Sequence, residues 1–275
     1  MATKTRKPLV SFLRLRAPIQ EQLKIEEALF RADSKRNWFI YNDQHSLPMI
    51  VMGISGKPEQ LLHQDAVKRC VAIIALIAVI RVRLTACLPI RDGIPVLKRF
   101  SGGGTVIVDH NTVFTTFICK HEDFPQVKPF PREIMAWSQD FYLPFFSRIC
   151  NKDLKFSLRE DDYVFNDRKF GGNAQSLSKG RWLHHTSFLW DFDPKNMEYL
   201  TNPARQPKYR QQRSHLEFLC PLKDVLKKEC ANRERFESEL HAELAHNFEI
   251  EDVKLEDVKP ILEREHRKST HFLEL

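Results

Sequence analysis

Two glycine-bearing segments hold the residues of this 275-residue chain whose types and spacing can do chemistry. In Lys98-Arg99-Phe100-Ser101-Gly102-Gly103-Gly104-Thr105-Val106-Ile107, two cations lead into three consecutive glycines. Glycine lets the main chain approach a ligand and aim successive N–H groups at it. The run therefore reads either as a cradle for a carboxylate or phosphate, or as a bulge or tight turn with exposed basic neighbours. In Arg168-Lys169-Phe170-Gly171-Gly172-Asn173-Ala174, a lysine ahead of a double glycine could set its ammonium where charge develops on an acyl phosphate. The alternative is one more solvated lysine among 43 Lys and Arg side chains. The first run is neither a P-loop, since Lys-Ser/Thr is missing after it, nor a GxGxxG fingerprint.

His184-His185 invites a metal reading, but adjacent strand residues point to opposite faces and no third ligand stands at metal spacing. No metal site is expected; one histidine is assigned to the pocket wall and the other to structure. The six cysteines are scattered without a CxxC pair, which argues against a disulfide framework or structural zinc and for a reducing compartment. Cys119 and Cys150 would be nucleophiles only beside a neutralising histidine; inert buried thiols are the simpler reading.

The elements that must position these residues follow from periodicity. Leu9–Leu13 reads as a strand, and Pro18 opens a helix with Ile19, Leu23 and Phe30 on one stripe. Trp38–Tyr41 and Met49–Met52 read as strands, and a helix follows Pro58. Residues 95–100, 105–108 and 113–119 read as strands, the last two joined as a hairpin through Asp109-His110-Asn111 with the glycines at its start. A helix is expected over 131–150, ended or kinked at Pro144. A second meander runs over 163–190, and Phe236, Leu240, Leu244 and Phe248 mark an amphipathic helix. The fold class is α+β: a mixed, largely antiparallel sheet flanked by helices, in a single unit spanning 1–275 with a flexible tail at 1–7.

Composition agrees. With 42% hydrophobic and 29% charged residues the chain is of globular type, not disordered or low-complexity. Residues 1–220 hold 33 Lys/Arg against 22 Asp/Glu, a net +11, whereas 221–275 hold 10 against 14, a net −4. The basic part attracts anions; no nucleic-acid motif accompanies it. The apolar run from Cys70 to Ile80 is too short to span a membrane. Five cations and no acid in residues 1–16 resemble a short transit peptide without a secretory apolar core. The expectation is an unprocessed cytoplasmic protein, with mitochondrial or plastid targeting left open.

Lys98 to Asp109 resembles the R-R-x-S-G-G-G-A-V-x-x-D signature of lipoate-protein ligases of the biotin/lipoate ligase superfamily. Asp167–Ala174 is similar to their R-K-x-x-G-S-A segment and His184–Leu189 to H-H-G-T-L-L. The resemblance implies the catalytic-domain fold of that superfamily and an enzyme that activates lipoate or octanoate with ATP and Mg2+ to an acyl-adenylate. The acyl group then passes to a lysine of lipoyl domains, on E2 subunits of 2-oxoacid dehydrogenases or the glycine cleavage H protein. Carried over, Lys169 contacts the acyl carbonyl and phosphate. Arg99 and the backbone of Gly104, Thr105, Val106 and Ile107 line the acyl and nucleotide pocket, with Ala174 at the adenylate. Ser101, Gly102, Gly103, Asp109, Gly172, Asn173 and His185 are further pocket candidates. Val106, Ile107 and Phe170 could wall an apolar slot.

The departures are Lys98 for the first arginine, and Thr186 and Ser187 for Gly and Thr. The family's small C-terminal domain is expected to be absent, which points to a separate accessory protein. Residues 70–90 read as a hydrophobic insertion, interpretable as a translated intron whose removal would rejoin Lys68-Arg69 to Arg91-Asp92; a mature transcript encoding it would end that idea. The alternatives are an ATP-independent lipoyl or octanoyl transferase of the same superfamily and a non-catalytic lipoate or lipoyl-domain binding protein.

Overall fold

The computed structural model describes residues 6–45, 47–63, 94–201 and 206–274, so the proposed insertion at 70–90 lies outside the described residues. The chain runs β1 (Leu9–Leu15), α1 (Ile19–Ala32), β2 (Asn37–Asn42), β3 (Met49–Met52), β4 (Val96–Lys98), β5 (Val106–Val108) and β6 (Thr112–Lys120). It continues through α2 (Pro131–Ile149), β7 (Phe156–Arg159), β8 (Asp162–Phe165), β9 (Arg168–Ser178), β10 (Arg181–Leu189), α3 (Arg233–Asn247), β11 (Glu249–Val253), α4 (Leu255–Leu262) and β12 (His271–Phe272). After Pro58 the described helix is a single turn, Pro58–Leu61.

An eight-stranded sheet in the order β11-β1-β2-β6-β10-β9-β8-β7 forms the body, and a four-stranded sheet, β12-β4-β3-β5, packs beside it. In the large sheet β1 runs parallel to both β11 and β2, and the other pairs are antiparallel. One face of it is an aromatic core. Phe117, Tyr163, Phe170, Trp182 and Phe188 meet Phe141, Tyr142, Phe145 and Phe146 of α2 and Phe236 of α3. That packing explains Pro144, which neither ends nor shortens α2: the helix runs on to Ile149. Its buried aromatic side chains contribute about 1.5 to 3 kcal/mol each, which exceeds the roughly 3 kcal/mol cost of one internal proline.

The expected hairpin of 105–108 with 113–119 does not form. β5 pairs antiparallel with β3 in the small sheet, while β6 lies between β2 and β10 in the large one. At the corner Asp109 Oδ1 accepts from the Asn111 N–H and Oδ2 from Asn196 Nδ2, so the turn carries the chain between sheets. A local turn signal is the same for both outcomes; the pairing is decided by β3, more than fifty residues earlier in the chain.

Candidate functional site

The second face of the large sheet, toward α1 and the small sheet, collects the glycine runs. The Gly102 N–H donates to the Gln175 carbonyl of β9 at 2.9 Å, which docks the triple-glycine loop on that strand. Gly103 has φ +106°, and a Cβ there would lie 2.8 Å from Ala174 Cβ and 3.1 Å from the Asn173 carbonyl oxygen. A left-handed residue without a side chain is what lets loop and strand touch. A Cβ on Gly104 would meet nothing within 4 Å, so the loop backbone there is open to an approaching ligand.

Arg99 is buried and grips this loop. Its Nε donates to Ser101 Oγ at 3.1 Å, Nη1 to the Val51 carbonyl, and Nη2 to the carbonyls of Gly102 at 3.0 Å and Gly104 at 2.8 Å. Burial lowers its pKa to about 10, so it is charged at neutral pH. Arg99 therefore holds the cradle from behind through the loop carbonyls.

Behind Ser101 lies a chain of buried polar groups. His185 Nε2 is 3.2 Å from Ser101 Oγ, and Nδ1 is 3.0 Å from Glu26 Oε2. Thr116 Oγ1 donates to Glu26 Oε1 at 2.6 Å, as does Gln22 Nε2 at 2.7 Å. Glu26 thus receives three donors, which assigns the His185 proton to Nδ1 and leaves Nε2 to accept from Ser101. Desolvation lowers the His185 pKa against the opposing pull of Glu26, in keeping with a neutral ring. The serine, histidine and carboxylate are all buried, so this array sets loop geometry and offers no exposed nucleophile.

Lys169 reaches the same face through a β-bulge. β8 and β9 pair Tyr163 with Gly171 but Val164 with Lys169, leaving Phe170 as the extra residue. An unbulged strand would put residues 169 and 172 on opposite faces; the bulge puts both on the face of Ala174, the residue that meets the loop at Gly103, and turns Phe170 into the aromatic core. Lys169 Nζ lies 3.4 Å from where a Gly172 Cβ would stand and 2.7 Å from Asp162 Oδ1. Its side chain is 26% exposed, so the ammonium is neither buried nor free in solvent.

Other expected residues fall elsewhere. Of the three side chains expected to wall a slot, Val106 packs with the apolar layer between the sheets, Ile107 turns to the outer face of the small sheet, and Phe170 is in the core. Alternation along β5 makes it impossible for Val106 and Ile107 to face one groove. The Thr105 hydroxyl is buried with no hydrogen-bond partner. Asn173 turns its amide to the opposite face, where Oδ1 accepts from Thr186 Oγ1 at 2.7 Å. Asp109 is held in the corner described above. His184 faces Tyr163, Gln175 and Thr186 on the core side, so the two histidines do point apart. Among the described residues, no three His, Cys, Asp or Glu side chains gather to hold a metal ion. The four described cysteines are buried and free, and desolvation pushes Cys150 up to about 12.

Sequence reasoning missed Glu26, Gln22 and Gly53. Gln22 and Glu26 sit one helical turn apart on the buried side of α1, a spacing visible in the sequence but ordinary for a solvated face. Gly53 backs the loop: a Cβ there would lie 2.2 Å from the Gly103 carbonyl oxygen. Gly53→Ala is expected to displace the loop and cost about 1 to 3 kcal/mol in a urea melt, because both clashing groups are close to or part of the backbone. An unchanged midpoint would show that the loop tolerates displacement.

Burial also makes the protein sensitive to acid. Desolvation lowers His184 to about 3, with His185 a lesser cause, and His45 to about 4, with Arg233 second. Unfolded, both return to about 6.5. Between these values the unfolded chain binds more protons, so this stability is complete above pH 6.5 and is lost as pH falls. Each histidine contributes a slope of up to about 1.4 kcal/mol per pH unit. Urea midpoints should drop between about pH 7 and pH 5; an undiminished slope in a folded His184→Gln variant would remove His184 from the account.

A profile of the lipoyl protein ligase A/B catalytic domain matches residues 18–245. Inactive lipoate–protein ligase 2 of Plasmodium falciparum (isolate 3D7) is 29% identical over 235 residues, 74% of this chain, and the match spans 60% of that relative's length. A bi-partite lipoate protein ligase from Thermoplasma acidophilum, solved in a study with its E2 lipoyl domain, superposes with a TM-score of 0.65 at 14% identity, over 94% of this chain and 91% of its own. A lipoate-protein ligase A bound with ATP gives 0.65 at 12% identity, over 93% and 92%. At those identities the structural likeness is one of fold, and it bears out the α+β architecture with a mixed sheet and flanking helices.

Proposed function

We propose, for a chain that belongs to the lipoyl protein ligase A/B catalytic domain family, that it joins lipoate or octanoate to a lysine of a lipoyl domain through an acyl-adenylate. The observation that most supports this reading is the bulge in β9, which sets the Lys169 ammonium beside Gly172 on the strand whose Ala174 meets the glycine loop. In the first step the acyl carboxylate attacks the α-phosphate of ATP and pyrophosphate leaves. In the second, the acceptor lysine amine attacks the acyl carbonyl and AMP leaves. Both steps develop negative charge that a fixed ammonium and main-chain amides stabilise without reorganisation. Val106, only partly buried against the apolar layer between the sheets, offers apolar surface for an aliphatic chain. Mg2+ would enter with the ATP phosphates, since the carboxylate nearest Lys169 is already committed to that ammonium.

The basic balance of residues 1–220 favours an acidic acceptor domain. A second reading comes from the Plasmodium falciparum relative, whose name calls it inactive: a protein that binds ligand and transfers nothing. One assay separates these. The purified protein is incubated with an apo lipoyl domain and either octanoate, ATP and Mg2+, or octanoyl carrier protein without ATP, and the acceptor is weighed by mass spectrometry. Modification only with free acid and ATP is the expected result. Modification only from the carrier protein assigns the ATP-independent reaction, and no modification alongside measurable lipoate binding assigns the non-catalytic one.

A further inference from the structure

The small sheet ends on β12, a two-residue strand that covers the outer edge of β4. It pairs His271 with Lys98 and Phe272 with Leu97, and the Leu273 N–H continues the ladder to the Val96 carbonyl at 2.9 Å. β4 is three residues long and runs straight into Arg99, whose N–H donates to the Met52 carbonyl of β3 at 2.9 Å. The chain just before β12 is fastened to α1 by Glu27, a carboxylate only 2% exposed. Its Oε1 accepts from the Ser269 N–H at 2.8 Å and from Arg31 Nε at 3.0 Å, and its Oε2 accepts from the Thr270 N–H at 2.9 Å. The hydroxyls of Ser269 and Thr270 are buried without a partner, so the carboxylate, not these side chains, holds the main chain here.

We infer that Glu27 is a positioning residue for the glycine cradle: by clasping residues 269–270 it sets β12 against β4, and so fixes the strand from which Arg99 and the three glycines follow. This rests on the reading that the loop receives the acyl-adenylate. Successive helix residues point about 100° apart, so Glu26 and Glu27 reach two different partners from one turn of α1. Glu26 braces Ser101 through His185, at the far end of residues 98–101, and Glu27 secures the near end through β12. Without the clasp, two paired residues are too few to keep β12 in place, and β4 becomes a three-residue edge strand. The loop then spends only part of its time in the arrangement that Arg99 holds. A ligand that needs this arrangement binds more weakly in proportion to the lost fraction, and saturating ligand restores it. The signature is a raised KM with kcat nearly unchanged. A residue that served stability alone would lower the amount of active protein and leave KM as it was.

The test compares the unsubstituted protein with Glu27→Gln, which keeps the side chain's size but turns an NH2 group toward at least one of the three donors. Hydrogen exchange is followed at the Arg99 and Gly102 amides, which bond to the Met52 and Gln175 carbonyls. Both should exchange at least about tenfold faster in the variant, while the amides of β6 and β10 in the large sheet stay within about twofold. An octanoyl-adenosine phosphonate, a stable analogue of the adenylate, should bind about three- to tenfold more weakly by titration calorimetry. In the transfer assay the KM for octanoate should rise by a similar factor, with kcat within about twofold. Leu273→Pro removes the donor to Val96 without touching Glu27 and should move exchange and phosphonate affinity the same way. Unchanged exchange at Arg99 and Gly102 in folded Glu27→Gln, or faster exchange with unchanged phosphonate affinity, overturns the inference while leaving the ligase reading intact. Failure of the unsubstituted protein to bind the phosphonate overturns the ligase reading, and with it the cradle that Glu27 is said to position. If Glu27→Gln does not fold, unchanged exchange at Arg99 and Gly102 in Leu273→Pro overturns the inference by itself.

Discussion

Lys169→Ala is expected to lower acyl transfer to a lipoyl domain by about a hundred- to a thousandfold, the loss that follows removal of one preorganised group facing developing charge. The fold should survive. Lys169 contributes an ammonium and a partly exposed chain, and Phe170, which is fully buried in the core, is unchanged. Asp162 keeps its hydrogen bond from Tyr209, so the stability cost stays near about 1 to 2 kcal/mol. The readout is the time course of acceptor mass together with a thermal melt. Transfer within about twofold of the unsubstituted protein, from a folded variant, would remove Lys169 from the chemistry and leave the site reading without its central group.

The second large effect is on stability. Glu26→Ala removes the acceptor for His185 Nδ1, Thr116 Oγ1 and Gln22 Nε2, all within the buried layer. Stranding that many buried donors is expected to cost about 3 to 5 kcal/mol, which for a chain of this size lowers Tm by about 10 °C. Glu26→Gln should be milder, because the amide oxygen still accepts from Thr116 and Gln22. Its NH2 then faces His185 and drives the ring to the other tautomer, so that Nε2 donates to Ser101, which already accepts from Arg99. A Tm change below about 2 °C for Glu26→Ala would mean that the array does not hold the loop.

Much of the scaffold was legible because its signals are local. The alternation of strands, the proline-opened α1 and the four-residue apolar repeat of α3 each report the period of one element, and all three elements formed where that period is found. The opposed histidines follow from the same rule, since strand geometry alone sends neighbours to opposite faces. Less was legible where one local pattern fits two structures. The Asp109–Asn111 turn could close a hairpin or round a corner, and Pro144 could end a helix or be carried by its aromatic face; in both cases packing against distant strands chose.

The sequence by itself determined which segments lack side chains, where cations precede them, and therefore which stretches can approach an anion. Tertiary structure alone decided that Glu26 meets His185 across 159 residues, that the extra residue Phe170 brings Lys169 to the face of Gly172, and that Asp162 holds its ammonium. The physical reason is that backbone conformation and side-chain alternation are set within a few neighbours. Strand pairing, bulge position and ion pairing, by contrast, are settled by the free energy of burying groups that only the folded chain brings together.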